Sequence, residues 1–339
     1  MKFKFILGVD VSKNWFNYCI MTNTLDLIQE SKVDNNPKAI EAFLESLFKE
    51  SYLDDMDQIL LILEHTGIYV KHLVNAWLGQ TGKLSIVHSS KVSNLLSGQT
   101  SWDEKTDAMD ARRLSEYAIR YADKIKLWQA KDTNLELLQE LQTQRKRTNK
   151  ILSMLTVPLN ESKKFNSKEI KERLTANHLD LIKETKKALK EIDRQLMAVI
   201  NDDQNLKHLY KLITSVEGVG PVTAREVLIC TSGFIDFLPT QAKSFAKYCG
   251  VVPLPKQSGK VNRKAKTSKR ANMKLKSYLT MGATALIGTK SELGKYYQRK
   301  VEEGKPHFKV INAMRNKMIL RIFAVVKNNT MYQKNLDLN

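Results

Sequence analysis

Residues 59–67 read ILLILEHTG, and the fold turns on this stretch. Ile59 to Leu63 form a continuous apolar run, which is the mark of a strand buried on both faces. The run stops at a carboxylate, Glu64, followed by His65, Thr66 and Gly67. Upstream, Phe3–Val9 predicts a strand that ends at Asp10. Trp15–Met21 predicts a second strand after the short turn Val11–Asn14, and Leu25–Val33 a weaker third. Pro37 then opens a helix whose apolar residues Ile40, Phe43, Leu44 and Leu47 recur at three- and four-residue spacing. Downstream of Gly67 the pattern predicts a helix over about 68–79, a strand Leu84–Val87 and a helix from about 105 to 122. The order is β-β-β-α-β-α-β-α.

In a sheet of the ribonuclease H type with that order, the first and fourth strands are neighbours. Their ends then set Asp10 beside Glu64. Asp107 and Asp110 are three apart, so they share one helix face and can be turned toward the same strand ends. Four converging carboxylates repel one another unless a cation neutralises them. Hard oxygen ligands of this kind select Mg²⁺ or Mn²⁺, and two such ions clamp an in-line phosphodiester displacement.

Beyond this part the material changes. Residues 130–212 are helix formers with almost no glycine. Leu135, Leu138 and Leu141 mark one helical face, and Ile182, Leu189, Ile192, Leu196 and Val199 follow a heptad seam. A break over Thr156–Ser167, with Pro158 inside it, would let two long helices fold back as an antiparallel coiled-coil arm. At 216–221, VEGVGP reads as a turn between two helices like a helix-hairpin-helix, in which Gly218 and Gly220 let backbone N–H groups approach a phosphate. The tail from Lys327 reads as poorly ordered.

Charge is unevenly spread. The 339 residues carry 55 Lys and Arg against 36 Asp and Glu, a net +19. Residues 1–125 hold 14 basic and 17 acidic residues, whereas 237–291 hold twelve basic residues and no carboxylate. So dense a basic field attracts a polyanion, and counterion release makes nucleic acid the usual one. Trp102, Tyr248, Tyr278, Tyr296 and Tyr297 lie near basic stretches and could stack on unpaired bases, though such rings also serve as core. No apolar run reaches the roughly 20 residues of a membrane helix. Cys19, Cys230 and Cys249 form no C-x-x-C, and the six histidines show no ligand spacing, which argues against a disulfide framework and zinc. The expectation is a cytoplasmic protein without a membrane partner.

Three wordings of the first part, GVDVSK around Asp10, LEHTGIY around Glu64 and KTDAMDARRLSEYA around Asp107 and Asp110, resemble the DEDD transposases of the IS110 and IS1111 insertion-sequence family, which includes the Piv-type DNA invertases. GVGPVTA, FAKYCGVVPLPKQSGK and TSKRANMKLKSYLTMGA resemble that family's C-terminal domain, in the family's order. The resemblance implies a RuvC-like (ribonuclease H-like) domain over 1–125, a helical arm over 126–212, a mainly helical C-terminal domain over 213–328 and a tail over 329–339. It implies Asp10, Glu64, Asp107 and Asp110 as metal-holding catalytic residues, with two Mg²⁺ or Mn²⁺ ions per site. It also implies a catalytic serine, here Ser258 in Gln257-Ser258-Gly259, with Ser268 as competing candidate. Ala271 and Lys276 depart from the family's usual Gly and Arg.

Members are understood to act as homo-oligomers, dimers or tetramers, in which the carboxylates of one subunit face the serine of another. Insertion-sequence members are understood to use a structured guide (bridge) RNA that pairs with donor and target DNA. Around Ser258 stand Lys256, Lys260, Arg263 and Lys264, followed by Lys266, Lys269 and Arg270, all cations suited to holding phosphate. Three functions stay open at this point. One is a recombinase with a serine–phosphate intermediate, as transposase or as invertase. Another is a RuvC-like nuclease or junction resolvase that uses water, and the last a nucleic-acid-binding protein without catalysis.

Overall fold

Strands β1 (Phe5–Val11), β2 (Trp15–Thr22), β3 (Leu27–Asp34), β4 (Ile59–Glu64) and β5 (Lys83–Val87) form one mixed sheet in the order β3-β2-β1-β4-β5. The computed structural model describes residues 3–49, 55–64, 67–87, 92, 107–128, 132–162, 165–258, 261–268 and 271–333. It divides into two compact units, Met1–Ala130 and Lys131–Asn339.

In the first unit β1 runs antiparallel to β2 and parallel to β4, and β4 runs parallel to β5. The first and fourth strands are therefore neighbours, as the ribonuclease H type of sheet requires. Helices α1 (Pro37–Lys49) and α2 (Lys71–Gly79) cover one face, where Leu7, Val9, Phe16, Leu61 and Leu63 meet Phe43, Leu44, Leu73 and Trp77. Helix α3 (Asp107–Arg120) covers the other, where Ile6, Leu60 and Ile62 meet Leu114, Tyr117 and Ala118. The central strands are buried on both faces, which is why ILLIL is uninterrupted. β3 lies at an edge and is mostly exposed, which explains its weak pattern.

Among the described residues the second unit is helical apart from one hairpin. Helices α4 (Thr133–Ser162) and α5 (Lys168–Asp202) pack antiparallel, with Leu135, Leu138 and Leu141 in one core with Ile192, Leu196 and Val199. Thr185 is buried at the seam position between Ile182 and Leu189 and completes the three–four spacing. The break between them is shorter than the residues predict, because α4 continues through Pro158 to Ser162. α6 (Gln204–Thr214), α7 (Pro221–Thr231), α8 (Ala242–Tyr248), α9 (Met273–Ala285), α10 (Glu292–Glu302) and α11 (His307–Asn328) share that core.

The basic segment is not loop alone: β6 (Leu254–Ser258) and β7 (Val261–Lys266) pair as an antiparallel hairpin. The tail also departs from expectation. α11 runs to Asn328, Tyr332 N–H donates to Ser215 Oγ at 2.9 Å, and its hydroxyl donates to Glu292 at 3.1 Å. Residues 329–333 are thus docked rather than loose. All three cysteines are free, and among the described residues no helix is long and apolar enough to cross a membrane.

Candidate active site

Register and pleat bring the first-domain acids to one end of one sheet face. Val9 pairs with Leu63, so the next step of the same parallel register sets Asp10 beside Glu64. Side chains alternate along a strand. Leu7, Val9, Leu61 and Leu63 point under α1 and α2, so Asp10 and Glu64 belong to the α3 face with Ile6, Leu60 and Ile62. α3 runs back along β1. Ala111 and Ser115 lie over Gly8, and Ile119 packs near Met21 in the next layer. Its first turn, with Asp107 and Asp110, is therefore at the strand end that carries Asp10. Ser115 Oγ donates to the Cys19 carbonyl at 3.0 Å and pins the helix to β2.

Gly8 makes that placement possible. A Cβ there would lie 2.3 Å from the Ala111 carbonyl oxygen and 2.4 Å from Ser115 Oγ. Helix α3 sits against bare backbone, one residue after Asp110.

Asp10, Glu64 and Asp110 are half-buried and Asp107 is exposed. Asp110 Oδ1 accepts from Arg113 Nη1 at 2.8 Å, one turn into α3. Arg113 is buried, a feature the residues alone did not single out, although i,i+3 spacing from an acid is its signal. The donor set suits a hard divalent cation: carboxylates only, from two adjacent strand ends and one helix start. Among the described residues no three of His, Cys, Asp or Glu close to metal-holding distance. His65 and Trp102 lie outside the described residues.

In the second unit, Gly218 has φ +81° and packs on α9, where a Cβ would meet the Gly282 carbonyl oxygen at 3.0 Å. Its glycine is accounted for by packing. Gly220 caps the N-terminus of α7, is exposed, and has open space around it. Ser258 ends β6 and pairs with Val261, which puts it at the tip of the hairpin. Lys256 pairs with Arg263, and Lys264 and Lys266 follow on β7. Lys260, Lys269 and Arg270 lie outside the described residues. Ser268, half-buried, follows the end of β7, away from the tip. The two candidate serines therefore occupy opposite ends of the hairpin.

A charged network that joins α4, α5 and α7 went unread in the sequence. Arg145 bonds Asp193 through Nε at 2.7 Å and Nη2 at 3.1 Å, and Arg225 Nη2 reaches the same carboxylate at 2.9 Å. Gln142 Oε1 accepts from Arg225 Nε at 3.2 Å. Burial pushes the Asp193 carboxyl up, but the bonds and charges of Arg145 and Arg225 outweigh it and hold it below the usual carboxylate range. Burial in turn lowers Arg225. Its signal was a charged pair, Arg225-Glu226, inside the apolar helix PVTAREVLICT.

Comparison with known proteins bears on both units. A family model described as Transposase, of the DEDD IS110 type, matches residues 7–158, and one described as Transposase IS116/IS110/IS902 family matches residues 210–298. The pilin gene-inverting protein of Moraxella bovis is 25% identical over 345 residues, covering 98% of this chain and 99% of its own. An insertion element IS900 uncharacterized 42 kDa protein of Mycobacterium paratuberculosis is 26% identical over 36% of this chain and 30% of its own. T. thermophilus RuvC, solved with a Holliday junction substrate, aligns over 37% of this chain and 99% of its own at 9% identity and a TM-score of 0.29. The fold assignment rests on strand order and pairing, not on that likeness.

Proposed function

The chain belongs to the IS110 family of transposases, and from that premise we propose that it cleaves and rejoins DNA strands, with Asp10, Glu64, Asp107 and Asp110 holding two divalent cations, Mg²⁺ or Mn²⁺. The observation that carries the proposal is the register of β1 on β4, which puts two of these acids on adjacent strand ends under the first turn of α3. When bound, such ions lower the pKa of a nucleophile and neutralise charge on the phosphate. The residues do the rest. Ser258 supplies the attacking hydroxyl: its Oγ–phosphorus bond forms, a phosphodiester P–O bond breaks, and the leaving DNA oxygen takes up a proton. Lys256, Lys260, Arg263 and Lys264 hold the phosphate, and Lys266, Lys269 and Arg270 extend the basic track. Gly220 offers its open helix start to a backbone phosphate. Gly218 shapes that turn.

Partners follow from the same reading. DNA is the substrate and a structured guide RNA pairs with it. The arm assembles copies into a dimer or tetramer, a role supported by apolar residues exposed on its outer half, among them Met154 at 67% and Leu179 at 57%. A second reading, a site-specific DNA invertase, is favoured by end-to-end alignment with the Moraxella proteins named for pilin gene inversion.

The test is a nicked suicide substrate resolved on a denaturing gel. Wild type with Mg²⁺ is expected to form a protein–DNA adduct, and Asp10→Ala none, with DNA binding retained. Ser258→Ala is expected to lose the adduct while Ser268→Ala keeps it. Cleavage without adduct by the wild type would replace the serine with water. Cleavage without any divalent cation would overturn the metal role.

A further inference from the structure

Glu226 lies on α7 and is 4% exposed, a position where a lone carboxylate is costly. Lys274, from the start of α9, meets it at 2.8 Å. The pair stands in the wall of an open cavity of about 430 Å³, a size that takes a small aromatic ligand. Asp236, Phe237 and Tyr248 also line it. The Phe237 and Tyr248 rings are 5.3 Å apart and tilted by 44°. Tyr248 is held in place, because its hydroxyl accepts from Asn272 Nδ2 at 2.9 Å, and Asn272 itself caps α9. Cys230, also in the wall, is pushed up to about 12 by burial and stays a neutral thiol. The charged residues that line the cavity are Glu226, Asp236 and Lys274, and Glu226 Oε1 also accepts from Cys230 Sγ at 3.8 Å.

We propose that this cavity receives a guanine base unstacked from a nucleic-acid strand. A carboxylate only accepts hydrogen bonds and an ammonium only donates them. Guanine alone presents two adjacent donors, N1–H and the N2 amino group, with the O6 carbonyl next to them on the same edge. The donors suit Glu226 and the carbonyl suits Lys274, already set side by side by their ion pair. Adenine and cytosine offer one amino donor beside a ring acceptor that a carboxylate would repel. Uracil and thymine offer a single N–H. Phe237 and Tyr248 supply the apolar aromatic wall against which an extruded base lies. The proposal rests on the nucleic-acid reading above and adds a base preference to it.

Fluorescence anisotropy of the full chain with short single strands tests it. The probes are oligothymidylate carrying one central guanine, inosine or adenine, and the matching oligouridylates. One guanine is expected to tighten binding about tenfold over the uniform strand. Inosine, which lacks the 2-amino group, is expected to recover only part of that, and adenine none. Glu226→Gln is expected to abolish the guanine preference without changing the affinity for the uniform strand. Phe237→Ala, away from the buried pair, is expected to weaken it and serves if Glu226→Gln lowers the melting temperature. A larger effect in the ribose or the deoxyribose series assigns the base to RNA or DNA. Equal binding of guanine-bearing and uniform strands, or a preference that survives both substitutions, overturns the pocket while leaving nucleic-acid binding intact. No binding of any strand overturns both.

Discussion

Gly8 shows how one missing side chain sets the geometry of the acids. A Cβ at this position meets the Ala111 carbonyl and the Ser115 amide nitrogen, at 2.3 and 2.8 Å, so the neighbour that must give is helix backbone. Moving α3 carries Asp110 with it, because Asp110 precedes Ala111 on the same turn. Gly8→Ala is therefore expected to cost about 1–3 kcal/mol of stability, the usual range for overpacking a tightly filled site. Strand cleavage is expected to fall further than DNA binding does. Urea unfolding together with the suicide-substrate assay reads both. A folded Gly8→Ala protein with full cleavage would show that the reaction tolerates a shifted α3. Glycine inside a strand is itself a sign of close backbone approach, and that sign was present in ILGVDV.

At the scale of elements, α4, α5 and α7 are tied by Asp193, which accepts from Arg145 and Arg225. Asp193→Asn leaves Arg225, 2% exposed, with a buried charge deprived of its counter-ion. Breaking a buried pair in this way costs about 3–5 kcal/mol, and the Asp193 side chain at 37% exposed places the expected loss at or below the low end. The pH dependence has a definite sign. The folded carboxyl is held below its usual value, so its stabilisation is full above an unfolded pKa of about 3.9 and fades as pH falls through the lower folded value. Wild type and Asp193→Asn should differ most at neutral pH and converge under acid, as followed by urea midpoints. A gap that persists below that folded value would mean the carboxylate charge is not what stabilises the joint. The network was hidden from sequence because its members are 48 and 32 residues apart and no periodicity joins them. The sheet, by contrast, was legible, since burial on both faces writes itself as ILLIL and edge exposure as a weak β3. The hairpin at 254–266 was masked by its charge, as alternation is hard to see when Lys and Arg fill the strands. The break between α4 and α5 is shorter than proline suggested, because α4 carries Pro158 within it.

Across the whole molecule the charge is divided. Residues 1–125 have three more acids than bases, and the chain as a whole carries +19. An acidic first part by itself repels DNA, so the attraction has to come from the remainder, and its densest run without a carboxylate is 237–291. The hairpin Leu254–Ser258 and Val261–Lys266 puts Lys256 opposite Arg263, with Lys264 and Lys266 beyond, along one narrow two-stranded ribbon. Each cation that meets a phosphate releases condensed counterion, so the salt dependence of binding reports how many phosphates the protein neutralises. Replacing Lys256, Arg263 and Lys264 together by Gln is expected to weaken binding to all duplex sequences alike. The slope of log affinity against log salt should fall by about 0.9 for each phosphate left without its cation. Base preference, if it resides at Glu226 and Lys274, should survive the same substitutions, because those residues lie outside the ribbon. An unchanged slope would place the phosphate track elsewhere in the second unit. A changed preference with an unchanged slope would mean that the ribbon reads bases and not backbone.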